Sequence, residues 1–245
     1  MTIKNWVAAL TLLGCVMGAT GCANIGKDDD KAAEYYAQLG AGYLQQNRLA
    51  LAKDYLEKAL DKNKRSVDAQ HYYALLQDRL GQPEKARLYF RRAVRQDRTN
   101  PDLLNNYGSH LCQNGETKLA VIAFMEALKD PLYRTPEFAW ANAGACLQKQ
   151  GETRQAALYL RKALDIKERF PLALYKMAEL EYSNGQNAAA QAFLYRYNEL
   201  APDTPDTLWL CYRVHRALRE NSKAEQCAND LAAHFPKSKQ ARQLN

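Results

Sequence analysis

The chain has 245 residues, a formal net charge of +7 from 34 Lys+Arg against 27 Asp+Glu, and an apolar fraction of 47%. That balance excludes global disorder, and 12 glycines with 8 prolines are too few for an all-β chain that turns tightly every ten residues. Abundant alanine, leucine and glutamine favour helix, while the basic excess alone would admit a nucleic-acid partner.

The first element is an export signal. Lys4 precedes an apolar run from Trp6 to about Ala19, and small residues follow up to Cys22. The run falls short of the ~20 residues a spanning helix needs. Ala19-Thr20-Gly21-Cys22 resembles the lipobox of bacterial lipoproteins, which implies removal of residues 1–21 and acylation of Cys22. Several acyl chains anchor a protein stably where one holds it only marginally. Leu12-Leu13-Gly14-Cys15 is a competing lipobox with the more usual leucine, but its apolar run would be only Trp6 to Leu13, so Cys22 is preferred over Cys15. An ordinary signal with an incidental cysteine is the plainer alternative. By the same resemblance, Ala23 in place of an aspartate after the cysteine implies the periplasmic face of the outer membrane. Residues 22–32 carry no helical apolar period and read as a polar tether, about nine residues of which reach roughly 30 Å if extended.

From residue 33 the chain repeats. Ala52, Ala86, Ala120, Ala156, Ala190 and Ala224 recur at intervals of 34, 34, 36, 34 and 34. Four residues after five of them sits a large apolar residue: Leu56, Phe90, Phe124, Leu160 and Leu194. The preceding half-units hold small residues, Gly40, Gly108 and Gly144, where a facing helix must approach. Turn residues separate the halves at Gln46-Asn47, Leu80-Gly81, Asn114-Gly115, Gln150-Gly151, Asn184-Gly185 and Glu220-Asn221.

This period resembles the tetratricopeptide repeat (TPR). The resemblance implies an all-α fold, a right-handed superhelical solenoid of six TPR helix-turn-helix repeats at 33–66, 67–100, 101–136, 137–170, 171–204 and 205–238, with a tail at 239–245. Two extra residues between Lys129 and Pro136 lengthen the third junction and suggest a division into two halves of three repeats.

In an oxidising compartment Cys112, Cys146, Cys211 and Cys227 are expected to pair. The register sets Cys112 and Cys146 on neighbouring first helices, and Cys211 and Cys227 on facing helices of the sixth unit. Buried thiols are the alternative for each pair.

Nothing in the sequence carries catalysis. His71, His110, His215 and His234 show no recognised metal spacing, and phosphate-loop, zinc-protease and nucleophile-elbow patterns are absent, so no enzyme, cofactor, metal or small-molecule substrate is expected. A repeat array instead offers an inner groove lined by positions two, five, nine and twelve of each first helix. In units one and two this gives an apolar strip of Ala37, Ala41, Leu44 and Leu75, suited to a helix or extended peptide. In units five and six it gives Leu172, Tyr175, Tyr182, Trp209, Arg213 and Arg216. The carboxylate clamp of chaperone-binding TPR proteins is missing, because its positions hold Ala37, Ala41, Tyr72, Asp102 and Asn106.

Lipobox, acidic tether and six repeats together resemble the type IV pilus biogenesis/stability lipoproteins, the pilotins. That resemblance implies an outer-membrane lipoprotein that binds the secretin subunit and promotes its localisation and multimerisation, with the N-terminal apolar strip as the groove. The alternative is a periplasmic TPR scaffold lipoprotein serving peptidoglycan synthesis or outer-membrane protein assembly. Export argues against nucleic acid. The basic residues Lys85, Arg87, Arg91, Arg92, Arg95 and Arg98 then read as a solvated outer helix face.

Overall fold

The computed structural model describes the backbone of residues 22–244 and side chains from residue 27, so the signal at 1–21 with Cys15, and the thiol of Cys22, lie outside the described residues. Twelve α-helices form six antiparallel hairpins among these residues: α1 (Cys22–Gln45) with α2 (Leu49–Lys62), α3 (Val67–Arg79) with α4 (Pro83–Gln96), α5 (Pro101–Gln113) with α6 (Thr117–Ala127), α7 (Pro136–Lys149) with α8 (Thr153–Ile166), α9 (Pro171–Ser183) with α10 (Asn187–Asn198), and α11 (Pro205–Ala217) with α12 (Asn221–His234). The chain divides at Arg98/Thr99 into a unit of two hairpins and a unit of four.

Local chemistry sets the helix ends. Ser66 and Asn100 accept hydrogen bonds from the amides of Ala69 and Leu103, and Thr204 and Thr207 form a reciprocal capping box. Proline stands in the first turn of α4, α5, α7, α9 and α11, where its missing N–H costs nothing. Pro136 therefore opens the fourth hairpin rather than closing the third unit. Within four of the hairpins a glycine at φ between +70° and +81° makes the turn, and Asn47 and Arg219 take that left-handed position in the first and last. The sixth turn thus falls at Arg219, not at Glu220-Asn221.

Packing inside each hairpin follows the small-against-large register. A Cβ added to Gly40 would lie 2.5 Å from Leu56 Cγ, and one on Gly108 would lie 2.7 Å from the Phe124 ring. At Gly144 it would lie 2.8 Å from Leu160 Cγ. The large partners are fully buried, as are Ala52, Ala120 and Ala156. Only a residue without a side chain lets the two helix backbones come this close.

Two further expectations change. The stretch 22–32 is helical, continuous with α1, and not an extended tether. It docks through Asp29 on Lys62 (3.0 Å) and Asp30 on Asn63 (2.6 Å), contacts between residues 33 apart that no local pattern displays. The long connection at 128–135 does not divide the array in two halves of three. Tyr133 in that connection is buried, and Leu111, Ala120, Phe124, Ala143 and Cys146 form one core cluster across it. The tail also folds back. A 3₁₀ turn, Ala241–Gln243, places Ala241 against Leu208 and Leu231, and Gln240 hydrogen-bonds Asp206.

Both cysteine pairs of the second unit are disulfide-bonded. Cys112–Cys146 joins α5 to α7 with Cα atoms 5.7 Å apart, and Cys211–Cys227 joins α11 to α12 at 6.0 Å. No helix among the described residues is long and apolar enough to cross a membrane.

Candidate functional site

In the second unit the first helices α7, α9 and α11 lie side by side and enclose a cleft of about 430 Å³. Its walls are Gln148 from α7, Tyr175, Glu179 and Tyr182 from α9, and Trp209 and Arg213 from α11. The i, i+3, i+4 spacing of a helix brings Tyr175, Glu179 and Tyr182 to one face. Glu179 organises the floor: Tyr175 OH donates to Oε1 at 2.7 Å and Lys176 Nζ donates to Oε2 at 2.7 Å. Burial first, then the Glu179 charge, push the Tyr175 phenol well above its ordinary range, so it stays a neutral donor. The Arg213 guanidinium sits 4.5 Å over the Tyr182 ring, and Trp209 stacks on Tyr212 at 5.4 Å. Gln148 Oε1 is buried without a hydrogen-bond partner among the described residues. Flat aromatic faces and basic donors beside the Glu179 and Asp206 carboxylates suit a peptide segment carrying apolar side chains and backbone carbonyls.

The apolar strip expected in units one and two is not a surface. Ala37 is fully buried against Ala59 and Ala69, and Leu44 is only 5% exposed, packed with Leu56, Tyr73 and Leu76. Only Ala41 and Leu75 of the four keep partial exposure. Positions five and twelve face the following hairpin as much as the groove, and packing takes them. The first unit opens elsewhere, at a cleft of about 400 Å³ lined by Tyr35, Leu39, Gly42, Tyr43 and Arg48. One repeat later the matching residues Ala69, Tyr73, Leu76 and Gln77 are all buried, whereas Tyr35 is 60% exposed. The outer face of α1 thus presents, among the described residues, the side that α3 buries.

A third feature joins residues whose spacing in the sequence suggested no metal site. Cys211 and His215 are one turn apart on α11, Cys227 comes from α12, and one ligand atom from each lies within 4.8 Å of the others. The i, i+4 spacing of Cys211 and His215 was visible. The register had also set Cys227 opposite Cys211, but as a disulfide partner, and His215 was not joined to the pair.

Tetratricopeptide repeat family models match residues 37–101, 76–134 and 139–170. The chain belongs to the tetratricopeptide repeat family. Within that family, it is 29% identical over 246 residues to the type IV pilus assembly protein PilF of Pseudomonas aeruginosa, spanning 97% of this chain and 96% of the relative. A structure from a functional characterisation of P. aeruginosa PilF superposes with a TM-score of 0.76 at 27% identity, over 89% of this chain and 98% of that one. PilW, described as a widely conserved type IV pilus biogenesis factor, superposes with a TM-score of 0.79 at 28% identity, over 86% and 97%. This TPR chain is a homologue of PilF along nearly its whole length.

Proposed function

We propose that this TPR protein acts in type IV pilus biogenesis as an outer-membrane pilotin. In this reading the lipid on Cys22 holds it at the periplasmic face of the outer membrane. The repeats bind the secretin subunit and promote its outer-membrane localisation and multimerisation. The observation that carries the reading is the end-to-end match to PilF, 97% of one chain against 96% of the other, which a shared repeat alone would not extend so far. The α7/α9/α11 cleft supports it, since a protein that escorts another needs a peptide-binding face and no catalytic centre. The role is adaptor work, without enzymatic chemistry.

With α1 helical from Cys22, eleven residues to Ala33 rise only about 16 Å, half the reach of an extended tether, and keep the first hairpin close to the bilayer. Deleting the gene and reading SDS-resistant secretin oligomers and surface pili tests the reading. Loss of both is expected, and unchanged oligomers with normal pili refute it. Cys22→Ser separately tests the anchor: the variant should leave the outer-membrane fraction, and normal fractionation would remove Cys22 from its role.

A further inference from the structure

We propose that Cys211 and Cys227 are the oxidised form of a metal site, and that after reduction their thiolates and His215 hold a thiophilic divalent cation such as Zn²⁺. The ligand atoms of the three residues already lie within 4.8 Å of one another. Tetrahedral zinc with Zn–S near 2.3 Å sets its sulfurs about 3.8 Å apart, a spacing the two sulfurs can take only once the bond between them is reduced.

His215 is already oriented for such a role. Its Nδ1 lies 2.6 Å from Glu220 Oε2, and the same oxygen accepts from Gln191 Nε2 at 2.8 Å and Lys223 Nζ at 3.3 Å. With Nδ1 engaged, Nε2 is the nitrogen left for a metal. A carboxylate behind the imidazole is the outer-shell arrangement that fixes ring orientation and raises basicity at metal-bound histidines. Access is provided by a cleft of about 650 Å³ lined by Cys211, His215, Gln191 and Lys223. Three protein ligands leave one coordination position for water or a ligand from that cleft. Among the described residues no such third ligand joins the other pair, Cys112–Cys146, which therefore serves as an internal control.

The chemistry balances. The disulfide takes two electrons and two protons from a dithiol, which leaves as its own disulfide. Zn²⁺ then displaces the two thiol protons to solvent. The metal form belongs to reducing conditions and the disulfide to oxidising ones, and neither depends on the pilus reading.

The test uses the whole chain carrying Cys22→Ser, reduced with a dithiol and desalted without oxygen before Zn²⁺ or Co²⁺ is added. Native mass spectrometry should show one Zn²⁺ per reduced chain and none per oxidised chain, and Co²⁺ should give a thiolate charge-transfer band. Glu220→Gln should weaken Zn²⁺ binding by about 10–100-fold while keeping that band. His215→Ala should lower affinity at least as much, and Cys112→Ala with Cys146→Ala should leave binding unchanged. Should a variant fail to fold, alkylation of the reduced parent chain decides: Zn²⁺ should protect Cys211 and Cys227 and leave Cys112 and Cys146 reactive. A reduced chain without metal overturns the proposal, as does binding indifferent to His215 or protection of the other pair.

Discussion

Gly40 and Gly42 stand two residues apart on different sides of α1, and alanine at each should act with opposite sign. Both lie in the helix interior, where glycine costs about 0.5–1 kcal/mol relative to alanine through backbone entropy. At Gly42 an added Cβ meets nothing within 4 Å, so Gly42→Ala should collect that gain and stabilise the first unit by about 0.5–1 kcal/mol. At Gly40 the same Cβ falls 2.5 Å from Leu56 Cγ and 2.7 Å from Cδ2. Leu56 is fully buried among Ala52, Leu44, Tyr73 and Leu76, so it has nowhere to retreat and the helices must separate. Overpacking of this kind costs about 1–3 kcal/mol, which leaves Gly40→Ala between neutral and about 2 kcal/mol destabilising. The difference between the two variants, about 1–3 kcal/mol, isolates the close approach, because propensity cancels. Urea unfolding followed by far-UV circular dichroism, with hydrogen exchange in α1 and α2, measures it. Leu56→Ala should also cost less in the Gly40→Ala background than in the parent, a coupling a double-mutant cycle reads directly. If Gly40→Ala proves as stabilising as Gly42→Ala, the small-against-large account of the hairpin is wrong.

Other consequences are open to measurement. Burial holds His71 at about 4 against an ordinary 6.5, so the unfolded chain gains its proton before the folded one does. Stability should be full above pH 6.5 and fall by about 3 kcal/mol as pH drops to 4, and His71→Gln should flatten that slope relative to the parent. Removing Cys112–Cys146, 34 residues apart, should destabilise the chain by about 4 kcal/mol, and removing Cys211–Cys227, 16 apart, by about 3 kcal/mol. Thermal unfolding in the absence of reductant tests both, and an unchanged midpoint in either variant rejects the loop-entropy argument for that pair. Arg219 holds a left-handed φ of 61°, so Arg219→Gly should stabilise by about 1 kcal/mol in the same scan. Trp209→Ala combined with Arg213→Ala should abolish co-purification of the secretin subunit while the circular dichroism spectrum stays native, and retained binding would remove the α7/α9/α11 cleft as the partner site.

What the sequence made legible depends on how local the cause is. The alanine and large-residue register shows because each hairpin solves the same close-approach problem, so Gly40–Leu56, Gly108–Phe124 and Gly144–Leu160 recur at one spacing. Proline at helix starts and glycine at turns are single-residue steric facts and read directly. The helical conformation of 22–32 was hidden because its stabilising contacts, Asp29 to Lys62 and Asp30 to Asn63, come from the far end of α2. The two extra residues near Lys129 looked like a boundary, but insertion length says nothing of whether the flanking helices stay packed, and here Tyr133 fills the connection.

The groove residues show the same limit from the functional side. A position that faces a groove in the TPR register also faces the next hairpin, and side-chain size decides between them. Ala37 is small enough to vanish beneath Ala59 and Ala69, and Leu44 fits between Leu56 and Tyr73. Tyr175, Tyr182 and Trp209 are too large to be swallowed, and their rings keep an edge or a face toward the cleft while Arg213 lies across one of them. Large amphipathic residues at groove positions are therefore the better sequence signal for a partner surface in such an array. Small apolar ones at the same positions mark where hairpins meet. By that criterion the proposed recognition surface lies on α7, α9 and α11 of the second unit, whereas Ala37 and Leu44 of the expected strip belong to the core of the first.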